Sequence, residues 1–233
     1  MSQHDLVYST MAERYEQLIS REDYQGNIPK ILNEIINYEG LHIVDIGAGT
    51  GRLTCMLAPK AEEITALDSS SAMLEVTEQK LKQQMKKNWS TKISDIRTIP
   101  LPNNSVDVVT AGWSICYVGN TNIEGWEHNV KVVIDEAKRV LKSNGVIIIF
   151  ETFGTGNEEP HAPDFLSNYY SILEDQYGFS HKWIRTDYKF EDVGEAEHLT
   201  RFFFGDWIAD RIVSENLTVL PECTGVWWLQ IKE

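Results

Sequence analysis

With 233 residues, the chain is long enough to form one domain of the larger kind with a substantial buried core. Lys and Arg number 21 against 35 Asp and Glu, and the resulting charge of −14 has the wrong sign for gripping a nucleic-acid backbone. No segment approaches the roughly 20 apolar residues of a membrane span, and the amino terminus around His4, Asp5, Glu13 and Arg14 has no apolar leader core. Cys55, Cys116 and Cys223 lack metal-ligand spacing, so no metal is expected and the reading is buried free thiols in a reducing cytoplasm.

Residues 1–30 form a polar arm bearing Tyr8, Tyr15 and Tyr24, with a helical pattern from Thr10 to Ile19. Leu41, Ile43, Val44 and Ile46 then read as a short buried strand. Gly47, Gly49 and Gly51 follow at alternate positions, where a backbone can turn tightly and pass close to a ligand. Arg52 to Ala58 reads as a helix whose first free amides face that turn. Strand, glycine turn and helix together make a nucleotide or nucleoside site, the alternative being a tight connection alone.

Spacing separates the ligands. The dinucleotide fingerprint Gly-x-Gly-x-x-Gly is missed by one residue, since Arg52 stands where its third glycine belongs. Gly51-Arg52-Leu53 also lacks the Lys-Ser/Thr ending of a phosphate loop. The run Asp45-Ile46-Gly47-Ala48-Gly49-Thr50-Gly51 resembles motif I of the class I S-adenosylmethionine (SAM)-dependent methyltransferases. The resemblance implies that Asp45, Gly47, Ala48, Gly49 and Gly51 hold SAM, with Asp45 taking the ammonium of its methionine moiety directly or through water.

Glu63 to Asp68 reads as the second strand, and its terminal acid falls 17 positions after Gly51. A carboxylate there can accept both hydroxyls of a ribose. Ser69-Ser70-Ser71-Ala72-Met73-Leu74 starts a helix, with Ser70 or Ser71 as its cap and Met73 placed near an adenine. This stretch too is similar to the family's pattern, which implies Asp68, Ser69 and Met73 as cofactor residues; a plain capping acid is the other reading of Asp68. The basic run from Lys80 to Lys87 alternates with Gln and reads as a solvated helix face.

Trp89 to Ile93 reads as a strand followed by Asp95 and Ile96, which by the resemblance face the adenine. After the turn Leu101 to Ser105, Val106 to Trp113 looks like the family's fourth strand, with Ala111 and Gly112 small enough for the cofactor to lie across its end. Val130, Val133, Ile134, Ala137, Val140 and Leu141 form a helical stripe that stops at Asn144-Gly145, and Val146 to Phe150 is a strand buried on both faces. Strands alternating with helices imply an α/β fold with a parallel sheet, and the segments over residues 41–151 resemble the family's closely; the resemblance implies a doubly wound, mostly parallel seven-stranded sheet with an antiparallel edge hairpin, Rossmann-like, to which a small helical cap is added.

The rest should carry the acceptor. Residues 152–164 read as a loop containing His161, Phe165 to Tyr177 as a helix, and His181 to Phe190 as a strand. Glu195 to Arg211 reads as one helix with Leu199, Phe202, Phe203, Trp207 and Ile208 on one face, and Val226 to Ile231 as the last strand. The segment from Phe165 to Trp207 is expected to cap the site, with Tyr169 and Phe203 facing the acceptor, the alternative being that its aromatics are core. Three segments follow from this: a lid or inert arm over 1–30, a SAM-binding core over 31–151, and a cap with edge strands over 152–233.

The family has no universal catalytic residue, because displacement at a sulfonium methyl needs no protonated leaving group and proceeds mainly through positioning. Trp113, Tyr117 and His161 lie on segments expected to border the methyl. A tryptophan there could attract the sulfonium, and Tyr117 or His161 could orient a nucleophile or take its proton. The expected activity is methyl transfer from SAM to a small-molecule acceptor, leaving S-adenosylhomocysteine, by a cytoplasmic monomer or homodimer without nucleic-acid or membrane partners. A non-catalytic SAM-binding protein and, against Arg52, a nucleotide-cofactor oxidoreductase stay open beside it.

Overall fold

The computed structural model describes residues 3–85 and 87–232. Met1, Ser2, Lys86 and Glu233, which include the start of the expected arm and part of the basic run, lie outside the described residues. The chain begins with α1 (Gln3–Thr10), α2 (Ala12–Ile19) and α3 (Asn27–Ile35). It continues through β1 (His42–Ile46), α4 (Arg52–Leu57), β2 (Glu63–Asp68), α5 (Ser71–Gln83), β3 (Trp89–Ile93) and β4 (Val106–Gly112). Next come α6 (Cys116–Gly119), α7 (Trp126–Val140), β5 (Leu141–Thr155), α8 (Asp164–Asp175), β6 (Ser180–Arg185) and β7 (Tyr188–Lys189). Last are α9 (Val193–Phe203), α10 (Asp206–Glu215), β8 (Val219–Leu220) and β9 (Glu222–Gln230).

Seven strands form one sheet in the order β3-β2-β1-β4-β5-β9-β6, with β1 to β5 parallel and β9 antiparallel to both of its neighbours. Inside the sheet, β5 lies between β4 and β9. Its run from Val146 to Phe150 sends Ile147 and Ile149 into the core under α7 and α8, and Val146, Ile148 and Phe150 into the core under α3 and α4. Alternation by two thus feeds both faces, which is why this strand reads as an unbroken apolar run. On α7 the stripe Val130, Val133, Ile134, Ala137 and Val140 is fully buried against the first of these cores.

The last two sheet strands pair antiparallel at the sheet edge as expected, with β6 outermost, β9 inside it and some 36 residues inserted between them. Other expectations need correction. The expected strand from His181 to Phe190 breaks at Thr186-Asp187, where the Asp187 carboxylate accepts the Arg185 side chain and the Glu222 amide. Its second piece, β7, pairs instead with β8 in a separate two-stranded ribbon. The expected helix from Glu195 to Arg211 is two helices, because Gly205 takes φ 83°, a left-handed conformation no helix interior accepts. Trp207, expected to pack, is 63% exposed. In the arm, the helical pattern read from Thr10 to Ile19 appears as α2, with α1 preceding it.

α9 and α10 close a small separate core in which Leu199, Ile208 and Ile212 meet Leu18 of α2 and the ribbon residues Tyr188 and Leu220. The arm is also tied to the sheet side: Lys80, expected on a solvated face, reaches Glu16 at 2.5 Å and the Thr50 carbonyl at 2.9 Å. Of the cysteines, all unpaired, only Cys223 is buried; Cys55 and Cys116 are half-buried. Among the described residues no helix is long and apolar enough to cross a membrane.

Candidate active site

The carboxyl ends of β1, β2, β3 and β4 converge on one cavity, as the switch point of an open α/β sheet requires. Its floor is the turn from β1 into α4, where Gly47, Gly49 and Gly51 all have positive φ (64°, 56° and 81°). A Cβ on Gly47 would overlap the Ser114 side chain, so the turn lies flush against the end of β4. At Gly49 a Cβ would meet no protein atom within 4 Å and would project into the cavity, so here the glycine keeps space for a ligand.

The cavity measures about 250 Å³. Asp45, Gly47, Ala48, Gly49, Asp68, Ser69, Met73, Asp95, Ile96 and Gly112 all stand on its wall. Gly51 and Ala111 do not. Gly51 precedes the first residue of α4 with its Cα against Thr77, and Ala111 is sealed in the core one residue before Gly112 reaches the surface of the site. Their part is therefore to shape the turn and the strand end behind the wall.

The three acids are held differently. Asp45 is 1% exposed and accepts the hydroxyls of Thr54 (2.6 Å) and Thr110 (2.8 Å), one per oxygen; burial pushes its carboxyl up to about 6. Any ammonium it met would share it with both hydroxyls. Asp68 accepts the Gly49 amide on Oδ2 and the Ser70 amide on Oδ1, both at 2.8 Å, and burial raises its pKa despite those donors. Each of its oxygens keeps a lone pair for a ligand. The cap of α5 is Ser70, whose hydroxyl accepts the Met73 amide. Asp95 is clamped by Arg97 through two side-chain bonds (2.8 and 2.7 Å), which hold its carboxyl below the ordinary range.

The opposite wall comes from the arm and from the segment after β4. Tyr8, Tyr15 and Ile19 of α1 and α2 face Trp113 and Tyr117 across the opening, and the Tyr8 and Tyr117 hydroxyls are hydrogen-bonded. Burial pushes the Tyr117 phenol well up, so it serves poorly as a base near neutrality. Trp113 sits at φ 50°, a strained conformation for so bulky a residue. Its ring already carries a cation, because the Arg52 guanidinium lies 3.9 Å from the ring centroid. Arg52 also pairs with the buried Glu22 at 2.7 Å.

Sequence reasoning gave Arg52 only a negative role and passed over Glu22, which looks like a surface residue in the polar stretch after α2. His161, by contrast, is exposed on its loop and borders neither this cavity nor the chamber beside it. Its backbone amide donates to the Phe153 carbonyl at 2.6 Å.

A smaller chamber of about 100 Å³ adjoins the cavity and shares Tyr8, Tyr15, Ile19, Arg52, Trp113 and Tyr117 with it. Its deeper wall adds Glu22, Cys116, Thr152, Thr155, Tyr188, Phe203, Phe204 and Glu222. Of the two aromatics expected to face the acceptor, Phe203 lines this chamber. Tyr169 does not: it is fully buried between α8 and the sheet, its hydroxyl donating to Glu151 at 3.3 Å.

Residues 44–149 match the family model described as a methyltransferase domain. Demethylmenaquinone methyltransferase of Staphylococcus aureus is 27% identical over 70% of this chain and 64% of its own length. A SAM-dependent methyltransferase from Aquifex aeolicus superposes with a TM-score of 0.55 at 18% identity, over 98% of both chains. Residues 44–149 therefore carry a methyltransferase domain, similar to that of the class I SAM-dependent methyltransferases. Phosphoethanolamine N-methyltransferase 2 of Haemonchus contortus, solved with phosphomonomethylethanolamine and S-adenosylhomocysteine, shares the fold at a TM-score of 0.61 and 14% identity, over all of this chain and 61% of that one. The chain spans less than two thirds of the length of the Staphylococcus relative.

SAM is the cofactor of the family, and the wall has the features to take it. Gly49 leaves the cradle open, Asp68 offers two lone pairs, and the Thr50 hydroxyl is buried at the wall with no hydrogen-bond partner among the described residues.

Proposed function

We propose that the protein transfers the methyl group of SAM to a small-molecule acceptor by in-line displacement, with positioning as the main source of catalysis. When bound, the cofactor supplies an electrophilic methyl on a sulfonium. Gly47, Ala48 and Gly49 bring the backbone against it, Asp68 takes the ribose hydroxyls, and Asp95 with Ile96 borders the adenine. Asp45, oriented by Thr54 and Thr110, faces the methionine end. Ser69, Met73 and Gly112 complete the wall.

One observation carries this reading: the cavity and the smaller chamber meet at Tyr8, Tyr15, Trp113 and Tyr117, while Asp68 and Asp95 line the cavity alone. A cofactor held at Asp68 and Asp95 therefore has its other end directed at the shared partition, and an acceptor in the chamber approaches from the opposite side, as in-line attack requires. Within this scheme residues 1–30 act as the lid, 31–151 hold the cofactor, and 152–233 shape the acceptor side. Trp113, paired with Arg52, acts as wall rather than as a sulfonium platform. The net charge of −14 favours a metabolite over a nucleic acid, and unpaired cysteines suit a reducing cytoplasm.

Incubation with SAM and a metabolite extract should produce S-adenosylhomocysteine together with one methylated metabolite identifiable by mass spectrometry. Binding of SAM without any turnover in extracts from several sources would favour the non-catalytic reading instead.

A further inference from the structure

The chamber behind the aromatic partition contains a carboxyl group with an unused oxygen. Glu222 opens β9 and is 2% exposed. Its Oε1 accepts the Thr152 hydroxyl at 3.0 Å, whereas Oε2 is buried and has no hydrogen-bond partner among the described residues. Native proteins rarely leave such an atom unsatisfied, and an exception at a cavity wall calls for a donor from a ligand.

The sign of the chamber follows from its charged groups, which are Glu22, Arg52 and Glu222. Arg52 is committed, with its guanidinium over Trp113 and one nitrogen 2.7 Å from Glu22. That pair is neutral as a unit, so Glu222 decides what the chamber attracts. Around it stand Tyr15, Tyr188, Phe203 and Phe204, whose ring faces favour cations. Burial, reinforced by Glu22, pushes the Glu222 carboxyl up to about 8, so without a cation beside it the group keeps its proton near neutrality, and an ammonium at Oε2 would draw it into the charged form. An anionic acceptor would meet this carboxyl and find Arg52 already neutralised. An alcohol could donate to Oε2 but would supply no charge.

We propose that the chamber is a binding subsite for an ammonium group of the acceptor, donated to Glu222 Oε2 and enclosed by the aromatic wall. The inference rests on the methyl-transfer reading, because that reading makes this chamber the acceptor's, and it narrows the acceptor to a small amine. The sequence gave no sign of it: Glu222 lies between Pro221 and an apolar run, where a single acid looks like a strand-end residue.

Benzylamine, benzyl alcohol and benzoate share a ring and differ in the group offered to Glu222. Their binding to the protein saturated with S-adenosylhomocysteine can be compared by calorimetry at neutral pH. Benzylamine should bind about tenfold or more tightly than either analogue, and Glu222→Gln should reduce its advantage over the alcohol to about threefold or less with S-adenosylhomocysteine affinity unchanged. Benzylamine that binds no better than its analogues, or not at all, overturns the proposal. So does a preference that survives Glu222→Gln. Should that variant not fold, the comparison on the native protein still decides. Failure of S-adenosylhomocysteine to bind would count against the methyl-transfer reading separately, since the same probe series on the protein without it still reports on the chamber.

Discussion

Nη1 of Arg52 lies 2.7 Å from the Glu22 carboxylate, and both side chains are buried between the arm and the glycine turn. This pair joins the arm to the first residue of α4, and the Glu22 charge has no water to fall back on. Arg52→Leu leaves Glu22 buried and uncompensated, and should cost about 3–5 kcal/mol of stability. Adding Glu22→Gln should recover most of that loss in urea denaturation. If the double variant loses as much as the sum of its singles, the pair is not coupled as described.

Asp68 joins β2 to the glycine turn and has lone pairs facing the cavity. Asp68→Ala should weaken SAM binding by about 2–3 kcal/mol while circular dichroism stays native. Unchanged affinity in a folded variant would mean that the carboxylate only fastens the Gly49 and Ser70 amides.

Two aromatics expected together on the cap should now separate. Tyr169→Ala empties a fully buried site and should cost about 3–5 kcal/mol in a thermal or denaturant melt. Phe203→Ala removes a wall of the smaller chamber, so acceptor turnover should fall while S-adenosylhomocysteine affinity stays within about twofold. Parallel loss of cofactor binding in Phe203→Ala would place that ring in the cofactor's support instead.

Glu151 is buried, accepts the Cys116 amide at 2.9 Å, and has its carboxyl pushed up to about 7 from an ordinary 4.5 by burial. A raised carboxyl stabilises the fold below its unfolded pKa, and that contribution is lost as the pH rises through the folded one. Glu151→Gln lacks this titration, so its stability relative to the native protein should improve by roughly 2–3 kcal/mol between pH 4.5 and pH 8. A difference that stays flat over that window would show that Glu151 titrates normally.

The parallel sheet was legible because its signals are local. Alternate glycines after a buried run, an acid at the end of the second strand and the apolar stretch Val146 to Phe150 each act within a few residues of one another. The bounds read for β2 and β3 are those observed. Long-range pairing is a different matter. Glu22 reaches Arg52 from the arm, Glu222 reaches Thr152 across β5 and β9, and no spacing in sequence announces either. Arg97 was missed although it is two residues from Asp95, because a bidentate clamp so close in sequence looks like any exposed pair. In the cap, aromatic content suggested a substrate wall but could not separate Phe203, which faces the chamber, from Tyr169, which faces the core.

Titration calorimetry with SAM, S-adenosylhomocysteine and NAD tests the cofactor site most directly, because the glycine spacing, Asp68 and the open wall at Gly49 all bear on that choice. SAM and S-adenosylhomocysteine should each bind one per chain with affinity on the order of micromolar, and NAD should give no heat of binding. Binding of NAD with none of SAM or S-adenosylhomocysteine would contradict the assignment of this cavity.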